Sequence, residues 1–228
     1  MIINTLEKRK HVLKYDLENY PNLDTVTDIL QKAWKVTPSK NNFMPYSVNV
    51  LGPEHTKYKE SIWNKCIGND FRMDAIGADS GYTTAVVDKK ANPYYEHIRY
   101  NPYLLVFSSR VCKEANPFYT KRIQSGGHFA EQMYPEWVDS IVDSTAIEVG
   151  LFAQNTASLC LEQDIDYSFT SCFPRDVNQW KDIPFVEYRV LLLMTLGKGV
   201  YYRRQKAEAE GWIIHDYKPS FETVVNII

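Results

Sequence analysis

Glycine is scarce in this chain. It accounts for 10 of 228 residues, about 4% against an average near 7%, which argues against a fold organised around several glycine-rich phosphate loops. Cysteine is sparse too, at positions 66, 112, 160 and 172. No two form a C-x-x-C pair, so neither a zinc site nor a thioredoxin-like motif is signalled, and scattered thiols of this kind are expected of a reduced, cytoplasmic protein. Long apolar runs are missing: the longest, Val190 to Met194, falls far short of the ~20 residues that span a bilayer. Met1-Ile2-Ile3-Asn4-Thr5 lacks the apolar core of a signal peptide. There is no excess of either charge, with 26 Lys plus Arg against 28 Asp plus Glu and a net charge of −2. That balance excludes a general nucleic-acid binder or membrane-surface binder. No G-x-S-x-G, H-E-x-x-H, P-loop or G-x-G-x-x-G occurs, and the histidines at 11, 55, 97, 128 and 215 are isolated from one another.

Aromatic residues are abundant instead. Sixteen Tyr, 10 Phe and 5 Trp make up 14% of the chain, implying extensive flat contact surface in the core, at an interface or around a flat ligand. The length fits one large domain or two small ones, and no repeat, low-complexity tract or linker divides it. Residues 1–228 are therefore read as a single α+β domain with irregular excursions at 68–100 and 113–137.

Periodicity outlines the elements. Residues 1–14 read as a short helix or arm ending in basic residues. Asp24 caps a predicted helix to about Lys35, with Val26, Ile29, Leu30 and Ala33 on one face. A polar loop, Thr37 to Asn42, leads to a strand in which Tyr46, Val48 and Val50 alternate, ended by Gly52-Pro53. His55 to Cys66 reads as a helix and Leu104 to Phe107 as a buried strand. A long helix from Asp143 to Gln163 is apolar on nearly all sides, as expected at the centre of a core or an interface. Ile165 to Phe169 and Val186 to Leu196 read as strands. Residues 200–218 read as a polar connection and Phe221 to Ile228 as a final strand or tail.

Basic residues gather in two places. Lys8, Arg9, Lys10 and Lys14, with His11, lie near the N-terminus; Lys198, Arg203, Arg204, Lys206 and Lys218 lie near the C-terminus. Such groups suit a dianionic phosphate, to which charge-assisted hydrogen bonds are roughly twice as strong as neutral ones. The plainer reading is two solvated faces, and spacing alone does not show that the clusters meet.

Several segments in order resemble the FMN-dependent nitroreductases. Lys8 to Asp16 is similar to that family's phosphate-binding run, and Thr37 to Tyr46 to its P-S-S-x-N-x-Q-P-W loop. Asp143 to Phe173 resembles its interface helix with the strand and turn beside the flavin. Val190 to Gly197 is similar to its penultimate strand, and Lys218 to Val225 to its C-terminal run. The resemblance implies an α+β fold with a mostly antiparallel sheet flanked by helices, and an intertwined homodimer built on the helix 143–163. It implies FMN as cofactor and NADH or NADPH as donor. A ping-pong hydride transfer would serve a small electron-poor acceptor such as a nitroaromatic or quinone, with no catalytic side chain needed.

Site residues follow from the same resemblance. Arg9, Lys10, His11 and Lys14 would hold the FMN phosphate and ribityl chain, with Lys218 as the C-terminal cation. Pro38, Ser39, Lys40 and Asn42 would line the flavin, and the turn at Ser171-Cys172 would bring backbone N–H groups near N5. Phe129 and Tyr134 would line the substrate channel, with Phe118, Tyr119 and Trp137 as further roof candidates. Tyr94, His97 and Arg99 are candidate flavin contacts in the first excursion. Glu148 and Asn155 are expected to cap or bridge across an interface. The sequence departs from the family at Leu13, Lys40, Phe43-Met44 and Ser171-Cys172. Those departures admit a degenerate member that binds FMN weakly or not at all, or a different flavin chemistry on the same fold.

Overall fold

A sheet separates two layers of apolar side chains, and the order of elements explains how. In the computed structural model, which describes residues 2–67, 96–113, 117–124, 138, 141–202, 205 and 220–225, the chain runs α1 (Ile2–Leu6), β1 (Val12–Tyr15), α2 (Leu23–Val36), β2 (Tyr46–Leu51), α3 (Thr56–Ile67), α4 (Glu96–Arg99), β3 (Tyr103–Ser109), α5 (Pro117–Gln124), α6 (Val142–Glu162), β4 (Asp166–Thr170), β5 (Val190–Gly197), β6 (Gly199–Tyr202) and α7 (Phe221–Val224). Two short 3-10 turns occupy Lys40–Asn42 and Val177–Trp180.

Every residue of β3 is buried, which requires cover on both faces. It lies inside a four-stranded antiparallel sheet of order β2-β3-β5-β4. Alternation then sorts its side chains. Tyr103, Leu105 and Phe107 join a core with Val26, Ile29 and Ala33 of α2 and Val149, Phe152 and Ala157 of α6. Leu104 and Val106 face the other way, onto Ile62 of α3, Ile98 of α4, Phe173 and Trp180. The α+β class and the antiparallel sheet expected from the sequence are both present.

Long-range pairing moves several boundaries. Residues 12–15 form a strand, not the end of a helical arm, because β1 pairs antiparallel with β6, Val12 opposite Tyr202 and Tyr15 opposite Gly199. The connection expected at 200–218 accordingly begins as a strand. Asn22, not Asp24, caps α2: its Oδ1 accepts the Thr25 N–H at 2.8 Å. The strand expected at Val186 starts at Val190. Phe221–Val224 is a helical turn, not a strand. Each excursion contains a helix, α4 in the first and α5 in the second. Gly197, at the end of β5, packs so tightly that a Cβ there would lie 2.8 Å from Pro102 Cδ and 2.9 Å from the Tyr15 ring. Among the described residues, no helix is long and apolar enough to cross a membrane.

Candidate functional site

The basic run stands at one end of a fixed strand. Ser168 of β4 accepts the Val12 N–H at 2.9 Å through its hydroxyl and donates back to the Val12 carbonyl at 3.2 Å. The Tyr15 hydroxyl meets Thr195 Oγ1 of β5 at 2.8 Å, and burial holds that phenol protonated far above its ordinary range. These bonds dock β1 against the sheet. Leu13 is 1% exposed and belongs to the packing. Lys14 is the exposed member of the strand, opposite Tyr201 in the ladder.

Upstream, the cations are exposed and rest on rings. Arg9 Cζ lies 6.0 Å from the Tyr167 ring centre and Lys10 Nζ lies 4.8 Å from that of Tyr202. The His11 ring meets His97 of α4 edge-on, centres 5.8 Å apart. His97 is buried, and its Nε2 lies 3.3 Å from Thr170 Oγ1. Thr170 ends β4, and Ser171 and Cys172 follow it, both exposed. Among the described residues, neither of their amides is engaged by a turn, loop or side-chain hydrogen bond.

The structure thus links His11, through His97, to the end of β4 where Ser171 and Cys172 follow, while Arg9 and Lys10 lie beside Tyr167 and Tyr202 near the start of that strand. Of the C-terminal basic cluster, it places Lys198 beside the N-terminal run. The β1–β6 ladder sets Tyr202 opposite Val12, and the Asp16 N–H donates to the Lys198 carbonyl at 2.8 Å. Lys218, Arg203, Arg204, Lys206, Tyr94, Phe129, Tyr134 and Trp137 lie outside the described residues, as do the side chains of Phe118 and Tyr119. Arg99, a candidate flavin contact, is paired with Glu60 and set 5.0 Å from the Trp63 ring centre.

The loop after α2 is built differently. α2 packs along α6, so the chain leaving α2 falls across the polar side chains of the long helix. Glu148 Oε2 accepts the Ser39 hydroxyl at 2.6 Å and Oε1 accepts the Lys40 N–H at 2.9 Å. The Ser39 oxygen accepts the Met44 N–H at 2.8 Å. Asn155 donates to the Thr37 hydroxyl at 2.9 Å, which donates to the Ala33 carbonyl at 2.7 Å. Glu148 and Asn155, expected to cap or bridge across an interface, brace this loop within the chain. From the far side, Arg110 donates to the carbonyls of Phe43, Met44 and Tyr46 at 3.1–3.2 Å. Asn41, Asn42 and Met44 have φ of 56°, 57° and 46°, a left-handed conformation that costs a non-glycine residue energy and persists where surroundings over-determine it. Pro38, Lys40 and Asn42 are exposed on this loop.

Sequence reasoning did not find Arg110 or the pairing of Glu148 with Ser39. One signal was available for the first: Arg110 follows directly on a buried strand, where a charge needs a partner.

Geometry this specific invites comparison with known folds, and the class it defines is the nitroreductase-like α+β fold. Among solved structures, a provisionally assigned NAD(P)H:FMN oxidoreductase from Staphylococcus epidermidis matches with a TM-score of 0.66 at 14% identity, covering 100% of this chain and 96% of that one. A provisionally assigned nitroreductase from Exiguobacterium sibiricum, solved in complex with FMN, matches with a TM-score of 0.64 at 13% identity, covering 100% and 97%. An iodotyrosine deiodinase bound to FMN and 3-iodo-L-tyrosine matches with a TM-score of 0.59 at 16% identity, covering 89% and 92%. The likeness is one of fold across the whole chain. No protein-family model matches the sequence, and no curated protein sequence does.

Proposed function

We propose that this chain is an FMN-binding oxidoreductase of the nitroreductase type, using NADH or NADPH as donor and a small electron-poor molecule as acceptor. The observation that supports the reading is the link from the exposed basic run, through His11 against His97 and His97 against Thr170, to the end of β4 where the amides of Ser171 and Cys172 follow. The chemistry of this donor set fits FMN. Exposed guanidinium and ammonium groups suit a phosphate dianion, and backbone N–H groups suit the flavin's electron-rich edge. When bound, FMN would supply two-electron hydride chemistry that no side chain here provides.

The chain's own residues would bind and orient. Arg9 and Lys10, with His11 and Lys14 beside them, would neutralise the phosphate. Ser171 and Cys172 would offer amides from a turn fixed by the buried Phe173 and Trp180. The loop at 38–42 would present Pro38, Lys40 and Asn42. We further propose a homodimer through α6, since Ile147 and Leu151 on that helix, with Trp34 and Val36 on α2, leave large apolar side chains exposed. Purified protein is expected to be yellow and to release FMN on denaturation. Colourless protein that takes up no added FMN would overturn the reading. Bound flavin that neither NADH nor NADPH reduces under anaerobic stopped flow would point to a different donor.

A further inference from the structure

The 39–44 loop is gripped from two sides by opposite charges. The Glu148 carboxylate collects its donors, the Ser39 O–H at 2.6 Å and the Lys40 N–H at 2.9 Å. The Arg110 guanidinium collects its acceptors, the carbonyls of Phe43, Met44 and Tyr46. Between them lie the three left-handed residues Asn41, Asn42 and Met44. The carboxylate takes a side-chain hydroxyl and a backbone N–H of the loop, and the guanidinium takes backbone carbonyls further along it. Glu148 projects from α6 and is only 8% exposed, so removing it leaves two donors without an acceptor in a site with little water to replace it. Ser39 is a relay: its one hydroxyl proton goes to Glu148, and its oxygen takes the Met44 N–H.

We propose that Glu148 is a positioning residue, through which α6 sets the shape of the 38–44 loop and thereby the cofactor contacts made by Pro38, Lys40 and Asn42. Ser39 acts inside this clamp and not as a direct cofactor ligand. The inference rests on the flavin reading for what the loop faces, and on geometry alone for how the loop is held.

The test uses the full chain with Glu148→Ala and Glu148→Gln, read by amide hydrogen exchange at Lys40 and Met44 and by FMN titration. Glu148→Ala is expected to raise exchange at both amides at least tenfold and weaken FMN binding at least tenfold. Glu148→Gln keeps the side-chain volume and an acceptor, so it should restore most of both. Protection unchanged in Glu148→Ala overturns the proposal, and so does unchanged FMN affinity alongside freely exchanging amides. Should Glu148→Ala fail to fold, Ser39→Ala removes the relay with little change in volume. It should free the Met44 amide, and persistent protection there counts against the clamp. If the unmodified chain takes up no FMN, the cofactor reading and the cofactor half of this proposal both fall, while the exchange data still decide how the loop is held.

Discussion

The loop at 37–44 and the run at 8–11 both carry polar side chains to the edge of the fold, but they are held in opposite ways. In the loop, the polar groups are committed to one another. The Ser39 hydroxyl and Lys40 N–H close onto Glu148, the Met44 N–H closes onto Ser39, and three carbonyls close onto Arg110. In the run, the shape comes from downstream, where β1 is pinned by Ser168 and by β6. The side chains of Arg9 and Lys10 are left with aromatic rings as neighbours, contacts worth about 0.5–1 kcal/mol where exposed. The first region uses its hydrogen bonds to define a conformation. The second keeps charge available to something outside the chain. A site that must be both shaped and sticky can divide those tasks between segments, and stability and affinity then respond to different mutations.

The largest expected effect tests the first half of that contrast. Arg110→Ala removes one guanidinium and its bonds to three part-buried carbonyls, of which Phe43's also accepts from Cys112 Sγ at 3.4 Å. Leaving a buried acceptor unsatisfied costs roughly 1–3 kcal/mol for each group, and the summed loss should appear in urea denaturation of FMN-free protein. A loss below ~1 kcal/mol would mean that the loop holds its left-handed residues without the clamp, and the contrast between the two regions would dissolve.

What the sequence revealed, and what it hid, follows the same division. β3 and α6 were legible because burial dictates their periodicity. Tyr103 to Ser109 is buried throughout, and Val149, Phe152, Ala153, Thr156 and Cys160 recur on the inner face of the helix. The charge of the run was legible, but its strand was not, because Val12 pairs with Tyr202 and bonds Ser168 across most of the chain. Asn22 and Asp24 are both good caps, and only geometry chooses between them. The clamp was invisible for a similar reason. Glu148 lies 109 residues from Ser39 and Arg110 lies 66 from Met44, and no local pattern marks a polar group as destined for so distant a partner.

A second, smaller effect concerns what stands behind the run. After α4, which carries His97, the carbonyls of Asn101 and Pro102 accept from the Lys59 ammonium at 2.7 and 3.0 Å. Lys59 is almost fully buried, and desolvation lowers its pKa to about 8 from the ordinary 10.5, the Glu54 charge opposing in part. Below pH 8 the lysine is charged in both folded and unfolded chains. Between about 8 and 10.5 the unfolded chain keeps a proton that the folded one has lost, so stability rises with pH by up to ~3 kcal/mol. Above about 10 the trend reverses. Tyr15 stays protonated in the fold because of burial, while tyrosines of the unfolded chain ionise. Urea denaturation at pH 8, 9 and 10 should show the rise, and Lys59→Met should abolish it. Flat or falling stability over that interval would show that the backing of the run is not charged as described. The loop at 37–44 contains no comparable group, so its exchange rates, corrected for intrinsic pH dependence, should not follow this curve.

The smallest effects separate two neighbouring cations. Lys8 is already directed at Asp164, 3.3 Å away, with both side chains largely exposed; Arg9, with no carboxylate partner among the described residues, lies beside Tyr167, 6.0 Å from its ring centre. If exposed positive charge near β1 were all that mattered, removing either should weaken FMN retention equally. If the run presents specific uncommitted groups, the two must differ. Arg9→Ala is expected to lower FMN affinity by ~2 kcal/mol, the worth of a charge-assisted hydrogen bond, with little change in the stability of FMN-free protein. Lys8→Ala should change stability by ~0.2–1 kcal/mol, as exposed pairs do, and leave flavin retention within about twofold. Added salt sharpens the distinction, because it screens a diffuse surface field over ~10 Å at 0.1 M while affecting a close contact much less. Equal losses in the two variants, both erased by salt, would reduce the run to a charged surface and leave the loop as the defined part of the site. Unequal losses that persist in salt would assign the run a binding geometry of its own, made of exposed cations that rest on rings and not on carboxylates among the described residues.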